Sequence, residues 1–380
     1  AVAGYGATVL EYLLGAEGGW AWVITPAGRI DAVRLTLTRE HLATMVAALP
    51  AALRGPDGGR AVLAELSEAL IGPLPPGLLP PPGAPLAVVP HGDLFGVPFA
   101  ALRDGMDGRY LHERYALVML PSIGTIPAAG LVGTPPARPD HLLAVANPAF
   151  ESLPSRADPS RADPSRADPS LADPSLADPS LADPGRADPS PAGPAGLAAL
   201  PEVEAALPAF ARLLAPGATR RFTGEQATLA RLAEVRPGEL VLLATHGIAD
   251  IRDPANCFLA LAAMPGHDGR ARIHEIAALP LDSPLVALLA CWTAAGRITG
   301  DGVLGLSRAF LLAGANSVLA SLWTVGEETG TQVVYRMLAG WLRTGHSRAE
   351  ALRCAQAELA RQYPDRPLLW AALQLTGAWS

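Results

Sequence analysis

Two uninterrupted apolar runs in the second half of the chain carry the strongest pattern. Leu285 to Ala290 follows the breaker Pro284 and ends at Cys291-Trp292-Thr293, ahead of a polar, glycine-containing segment. A run this short and this apolar predicts a strand buried on both faces, as in a parallel sheet. Leu240 to Ala244, closed by Thr245, is a second run of the same kind and leads straight into His246-Gly247. In open α/β sheets the loops at the carboxyl ends of the strands form the ligand crevice. A thiol and an imidazole therefore both fall where chemistry is expected, and if the two strands are parallel neighbours the sheet brings them together at one edge.

The rest of the pattern surrounds that pair with alternating elements. Val9 to Leu14, Trp20 to Thr25 and Ile30 to Leu37, separated by Gly18-Gly19 and Ala27-Gly28, predict an antiparallel meander. Thr38 is a fair N-cap for a helix through Leu49, and Arg60 to Leu70 predicts another. Leu86 to Pro90, Tyr115 to Leu120 and Leu142 to Ala146 predict strands, with a turn at His91 to Leu94. From Leu200 onward, helices are predicted at Glu202 to Leu214, kinked or split at Pro208, and at Glu225 to Ala233, Ile273 to Leu279, Val303 to Leu312, Thr331 to Leu342 and Arg348 to Arg361. Strands at Phe258 to Ala262 and Ser317 to Leu322 alternate with them, which argues for a mostly parallel, right-handed α/β unit.

Between the two halves, from Ser155 to Pro189, a five-residue unit of the form Ser-Arg-Ala-Asp-Pro or Ser-Leu-Ala-Asp-Pro recurs. A proline at every fifth position forbids a continuous helix or ladder, so a solvated, semi-extended insert is expected. A tolerated repeat expansion in a surface loop is one reading of it, and a regulatory or partner-binding tether the other.

Composition narrows the chemistry. Half of the 380 residues are hydrophobic, 17% are charged, and the net charge is −7. With no basic run, nucleic acid is not expected as a direct partner. All 29 basic residues are arginine, which removes a P-loop lysine, Schiff-base chemistry and a Ser-Lys dyad. Three cysteines, Cys257, Cys291 and Cys354, are too few and too odd in number for a disulfide framework, so a reducing, cytosolic compartment is expected. No Cys-x-x-Cys or His-Glu-x-x-His occurs, and the His274-Glu275 pair has no third partner at ligand spacing, so no metal is expected. No apolar run approaches the length of a membrane span. The chain begins at Ala1 without Met, as an excerpt or a processed form of a longer protein would.

A thiol attacks only as thiolate, and a free cysteine with a pKa near ~8.5 supplies little of it at neutral pH. His246 is the candidate to accept the proton of Cys291 and later protonate the leaving group. The 45-residue separation (291 − 246) accommodates one crossover between parallel strands. The N–H groups of Gly247 and Cys291 could bind an oxyanion.

Ala244-Thr-His-Gly247, Leu289-Ala-Cys-Trp-Thr-Ala294, the glycine- and leucine-rich stretch from Gly300 to Ala315, and Ser317 to Trp323 together resemble the CHAT family of caspase-like cysteine peptidases, relatives of separase. Leu10 to Leu13, Val89 to Leu94 with Val97 to Leu102, Asn147-Pro148, Leu352 to Leu359 and Trp370 to Gly377 fall in the family's order. The resemblance implies an α/β, caspase-like fold with a mostly parallel central sheet flanked by helices. It divides the chain into an N-terminal meander with helices (1–83), a degenerate half (84–150), the repeat insert (151–196) and a catalytic half (197–380). It also implies a His246/Cys291 dyad that cleaves protein substrates without metal or organic cofactor, and an upstream helical-repeat domain or regulatory partner.

Specificity is less sharply written. Acidic groups beside the cysteine would favour a basic side chain before the cut, and Asp301 and Glu327 are candidates, with Glu328 close by. Equally, Asp301 could cap a helix starting near Gly302 and the glutamates could be a solvated helix start. Trp292 and Trp323 could wall the cleft, although aromatic residues at strand ends more often belong to the core. Cys257 and Cys354 read as structural. Gly300 to Gly305 spells a dinucleotide fingerprint but does not directly follow a strand, and no Gly-x-Ser-x-Gly elbow occurs. The rival to a working peptidase is a latent or non-catalytic scaffold of the same fold.

Overall fold

A computed structural model describes residues 2–75, 77–104, 107–125, 138–150, 197–248, 257–290, 296–299 and 302–380. The pentapeptide insert, Cys291 and Asp301 lie outside these residues. The strands are β1 (Thr8–Gly15), β2 (Gly18–Ile24), β3 (Ile30–Leu35), β4 (Pro85–Val89), β5 (Ala116–Met119), β6 (Leu142–Pro148), β7 (Thr219–Gly224), β8 (Leu240–Ala244), β9 (Gly247–Ile248), β10 (Phe258–Ala260), β11 (Arg270–Arg272), β12 (Val286–Leu289), β13 (Gly296–Thr299), β14 (Gly302–Gly305), β15 (Ser317–Ser321) and β16 (Leu373–Gly377).

Eleven of them form one sheet in the order β3-β2-β1-β4-β5-β16-β15-β12-β8-β6-β7. The meander β1-β2-β3 is antiparallel, as its glycines predict. Beyond it, β1, β4, β5 and β16 run parallel, and so do β15, β12, β8, β6 and β7. The two blocks meet at the antiparallel pair β15/β16, so their carboxyl ends lie at opposite edges of the sheet. β9, β10 and β11 form a small separate sheet, and β13 pairs with β14 as a hairpin.

The apolar runs form strands because both of their faces are covered. Leu240, Leu242 and Ala244 of β8 and Ala287 of β12 join a core with Val333, Val334, Met337 and Leu338 of the helix Glu327–Thr344. Val241, Leu243, Val286 and Leu288 face the other way, onto Ile276 and Phe310 of the helices Ile273–Ala277 and Leu306–Leu312. Side chains of this kind contribute roughly 1.5–3 kcal/mol each when fully buried, which holds β8 and β12 at the centre of the molecule. The fully buried Arg348 steadies their amino-terminal side. Its guanidinium donates to the carbonyl of Pro284, just ahead of β12, and to Ser317 Oγ at 3.1 Å. Burial lowers its pKa to about 10, which still leaves it charged at neutral pH.

Several elements differ from the sequence expectation. Gly302 to Gly305 is the β14 strand, so the helix expected from Val303 begins only at Leu306, after Gly305 in an extended conformation (φ −147°, ψ −179°). Gly302 and Gly305 of the apparent dinucleotide fingerprint thus belong to a hairpin strand. Of the helix expected over Glu225 to Ala233 only Leu229–Ala233 forms. Ahead of it Gln226 N–H turns back to Thr223 O at 3.1 Å, closing the unexpected strand β7. Pro208 sits inside the helix Pro201–Ala211 without splitting it, and the helix expected to end at Leu49 runs on through Pro50 to Arg54.

The helix Leu306–Leu312 ends in a Schellman turn: Ala315 N–H donates to Phe310 O at 3.0 Å and Gly314 N–H to Leu311 O at 3.2 Å. Gly314 adopts φ +110°, and a Cβ there would collide with the Leu281 carbonyl oxygen. Gly314→Ala is expected to cost about 2–4 kcal/mol in urea unfolding, because both the backbone strain and the contact oppose it.

His112 is buried against Trp370, with ring centroids 4.8 Å apart, and its Nδ1–H donates to Ala100 O at 2.9 Å. Burial, partly offset by that bond, holds its pKa below the ordinary value. The unfolded chain takes up this proton near pH ~6.5 and the folded chain only at lower pH. The group's contribution is therefore complete above about pH 6.5 and is lost as pH falls through the folded pKa, by up to about 1.4 kcal/mol per pH unit. Urea melts between pH 7 and 5 should show this slope, flattened in His112→Gln.

Candidate functional site

The candidate edge is built by the β8/β12 pairing. The register is parallel, with Val286 opposite Val241 and Leu289 opposite Ala244. Val241 N–H donates to Leu285 O at 3.0 Å and Thr245 N–H to Leu289 O at 3.2 Å, so the ladder runs to the last residue of both strands. His246 and Cys291 each stand two residues beyond that last pair, Ala244 and Leu289. The described chain reaches Ala290, one peptide short of the thiol.

Both strand ends are anchored by buried hydroxyls. The Thr245 side chain donates to the carbonyl of Ala260, and Ser321 Oγ, at the end of neighbouring β15, donates to Ala290 O at 2.7 Å. The imidazole of His246 is half-buried, packs against Phe150 with ring centroids 5.2 Å apart, and places Nε2 2.8 Å from Ala198 O. Ala260 N–H donates to His246 O at 2.9 Å. His246 and Ala260 are therefore a hydrogen-bonded pair, and Gly247 opposite Leu259 is the non-hydrogen-bonded pair beside it. The Gly247 N–H thus stays outside that ladder, as an oxyanion donor requires.

A pocket of about 120 Å³ opens beside His246. It is lined chiefly by Leu200, Val203, Leu288, Leu289, Val325 and Leu373, with Glu327 as its carboxylate. Glu327 heads the helix Glu327–Thr344, and its Oε1 accepts the Val203 N–H at 2.6 Å, capping the helix Pro201–Ala211 that packs alongside. Of the predicted site residues the structure thus brings His246, Gly247 and Glu327 to one edge. Cys291 and Asp301 lie outside the described residues. Trp323 belongs to the core: it is 3% exposed, and its indole N–H donates to Leu368 O at 3.0 Å. Glu328 turns to Gln332 on its own helix. Cys257 is buried and Cys354 half-buried, its thiol pKa raised by burial and by the adjacent Glu350 carboxylate, as structural cysteines would be.

Sequence reasoning missed Asn147. It ends β6 next to β8 with φ +46°, accepts Leu200 N–H at 2.7 Å and donates to Glu204 Oε2 at 2.6 Å. Its residue type was the one hint, since asparagine tolerates the left-handed region better than most residues, and its partners Leu200 and Glu204 lie far off in the sequence. Among the described residues no cluster of His, Cys, Asp and Glu could hold a metal ion, and no helix is long and apolar enough to cross a membrane.

This arrangement, with two parallel blocks and a histidine at a strand end, is the α/β fold of the caspase-like cysteine peptidases. The model of the CHAT domain matches residues 60–378, and the chain belongs to that family. It is 27% identical over 336 residues to Tetratricopeptide repeat protein 28 of Mus musculus, a match covering 83% of this chain and 13% of that protein. The Homo sapiens protein of the same name is 33% identical over 107 residues, which is 27% of this chain and 4% of the other. Among solved structures, that of the Saccharomyces cerevisiae separase–securin complex is similar at a TM-score of 0.60 and 9% identity, covering 99% of this chain and 30% of that one. This last likeness is one of fold.

The bond from Ser321 to the residue before the thiol gives a direct test of how the edge is held. Ser321→Ala leaves the Ala290 carbonyl without that donor and is expected to cost about 1–2 kcal/mol in urea unfolding, with the far-UV circular dichroism unchanged.

Proposed function

We propose that the chain is a cysteine endopeptidase acting through His246 and Cys291. The observation that supports this reading is the β8/β12 register, whose last pair, Ala244 and Leu289, precedes both the imidazole and the thiol by two residues in the sequence. Cys291 sulfur attacks the peptide carbonyl carbon while His246 takes the thiol proton. The oxyanion forms against the N–H groups of Gly247 and Cys291. His246 then returns the proton to the leaving amine, the C–N bond breaks, and a thioester remains. Water attacks the thioester with His246 as base, releasing the acid and restoring the thiol.

The first block supports its own assignment as a degenerate half. β4 also runs into a His-Gly pair, His91-Gly92, and its register with β5 sets Val88 opposite Met119. Extending both strands by three residues puts Ser122 opposite His91. On the same count of residues Ser122, a neutral hydroxyl, answers to Cys291 of the second block. On this reading residues 1–83 and 84–150 frame the catalytic half 197–380. The two curated relatives carry tetratricopeptide repeats in their names, which favours a helical-repeat region as the natural partner of this domain in longer chains. Glu327, which lines the pocket beside His246, is the carboxylate proposed to meet a substrate, with Asp301 a second candidate on sequence alone, and the acidic net charge favours protein over nucleic acid as partner. A latent or scaffold form is the second reading, favoured by the curated relatives, whose names give tetratricopeptide repeats and no peptidase activity.

Incubation with a proteome-derived peptide library tests the mechanism. The intact chain should produce a consistent set of cuts, and Cys291→Ala should lower their yield at least ~10³-fold at unchanged melting temperature. Cuts retained in that variant would contradict the assignment.

A further inference from the structure

The first block of the sheet has a groove of its own, about 780 Å³ against about 120 Å³ beside His246. One wall is the carboxyl edge of that block, with His91 and Gly92 past β4 and Ser122 past β5. The floor is the outer face of the meander, where Glu11, Leu13, Trp22, Ile24 and Ile30 line the groove while Tyr12 and Leu14 point into the core. Five large apolar side chains stand exposed among the described residues, and three of them, Leu13, Trp20 and Ile30, are on the meander. Exposed apolar groups gathered in this way mark an interaction site.

Glu11 is the exception within that apolar floor. It is half-buried, makes no hydrogen bond or ion pair among the described residues, and burial raises its pKa with no neighbouring cation acting against the shift. Desolvation of this kind is offset when a cation completes the pair. Trp22 stands directly opposite Glu11 in the β1/β2 register, so carboxylate and indole are neighbours on one face, and beyond the indole stands only the small Ala32. A guanidinium matches this pair, since its N–H groups bind a carboxylate while its planar face lies on an aromatic ring.

We propose that this groove is a docking site for an extended polypeptide that brings an arginine to Glu11 and Trp22 and aliphatic side chains to Leu13, Ile24 and Ile30. The net charge of −7 favours such a basic partner. The groove holds the chain without cutting it. Ser122 takes the place in the count that Cys291 has in the second block, and His91 Nδ1 is taken up by the Leu14 N–H at 3.4 Å. Because the two blocks meet at the antiparallel pair β15/β16, the groove lies at the opposite edge of the sheet from His246. The proposal therefore stands apart from the peptidase reading.

Fluorescence anisotropy of a labelled peptide, Ser-Leu-Ile-Arg-Leu-Ile-Ser with blocked ends, tests it on the Cys291→Ala chain, where no cut at the other edge can intervene. Affinity should fall at least about tenfold in Glu11→Gln, the loss of one charged hydrogen-bonded pair. It should return when Glu11→Arg meets the same peptide carrying Glu in place of its arginine, with the far-UV circular dichroism unchanged throughout. No binding by the folded chain, or equal binding by Glu11→Gln, would overturn the proposal. Affinity lost in Glu327→Gln and kept in Glu11→Gln would seat the peptide beside His246 instead and overturn it as well. So would a dimer in sedimentation that Glu11→Gln dissociates, which would make this face a contact between copies of the chain.

Discussion

The parallel pairing of β8 with β12 is the constraint on which the rest depends. Each strand is apolar on both faces, so a one-residue slip would turn the same side chains to the opposite cores and break the ladder that runs from Val241 to Thr245. With the register fixed, the chain leaves both strands at the same level, two residues in sequence ahead of His246 and of Cys291. The helices on the two faces, the Schellman turn at Gly314 and the buried guanidinium of Arg348 all keep this pair of strands straight and central.

Beyond the last ladder bond the molecule changes character. The strand ends stay rigid because hydroxyls of Thr245 and Ser321 take up buried carbonyls of Ala260 and Ala290. The groups one step further out are held by weaker partners. His246 is half-buried and held by an exposed backbone carbonyl, and Glu327 is divided between its own helix start and the start of a neighbouring one. A rigid base carrying exchangeable contacts is the arrangement expected of a site that must admit a chain and release it. The first block of the sheet keeps the base, with His91 and Ser122 past β4 and β5, and lacks the thiol.

The central sheet was legible because its evidence is local. Apolar runs bounded by prolines and glycines mark β4, β5, β6, β8, β12 and β15, and Thr38 and Ser347 accept the backbone N–H groups that start their helices. Strand β7 escaped because Thr219-Arg220-Arg221 is a polar edge, with Arg220 turned to Glu239 at 2.6 Å. β16 escaped because it completes the sheet from the far end of the chain, inserting between β5 and β15 on the strength of non-local pairing. The hairpin before Leu306 was hidden by a leucine-rich pattern that suits helix and strand alike. At the site, His246 and Gly247 could be read from position alone. Asn147 and the cap from Glu327 to Val203 could not, since each joins residues far apart in sequence that meet only once the sheet is formed. Trp323 misled because its ring suits a cleft wall and a core equally, and Leu368 O decides for the core.

The most direct test of the account is a cross-link between the two positions that the register equates. In a chain carrying Cys257→Ala and Cys354→Ala, the substitution His246→Cys places a second thiol opposite Cys291. Adjacent parallel strands hold equivalent Cα atoms about 5 Å apart, within the roughly 4.4–6.8 Å that a disulfide spans. Mild oxidation should give one intramolecular bond, between 246 and 291, in nearly all of the folded protein. A thiol pair that stays reduced under those conditions, while the fold is intact, would contradict the claim that this sheet brings imidazole and thiol together.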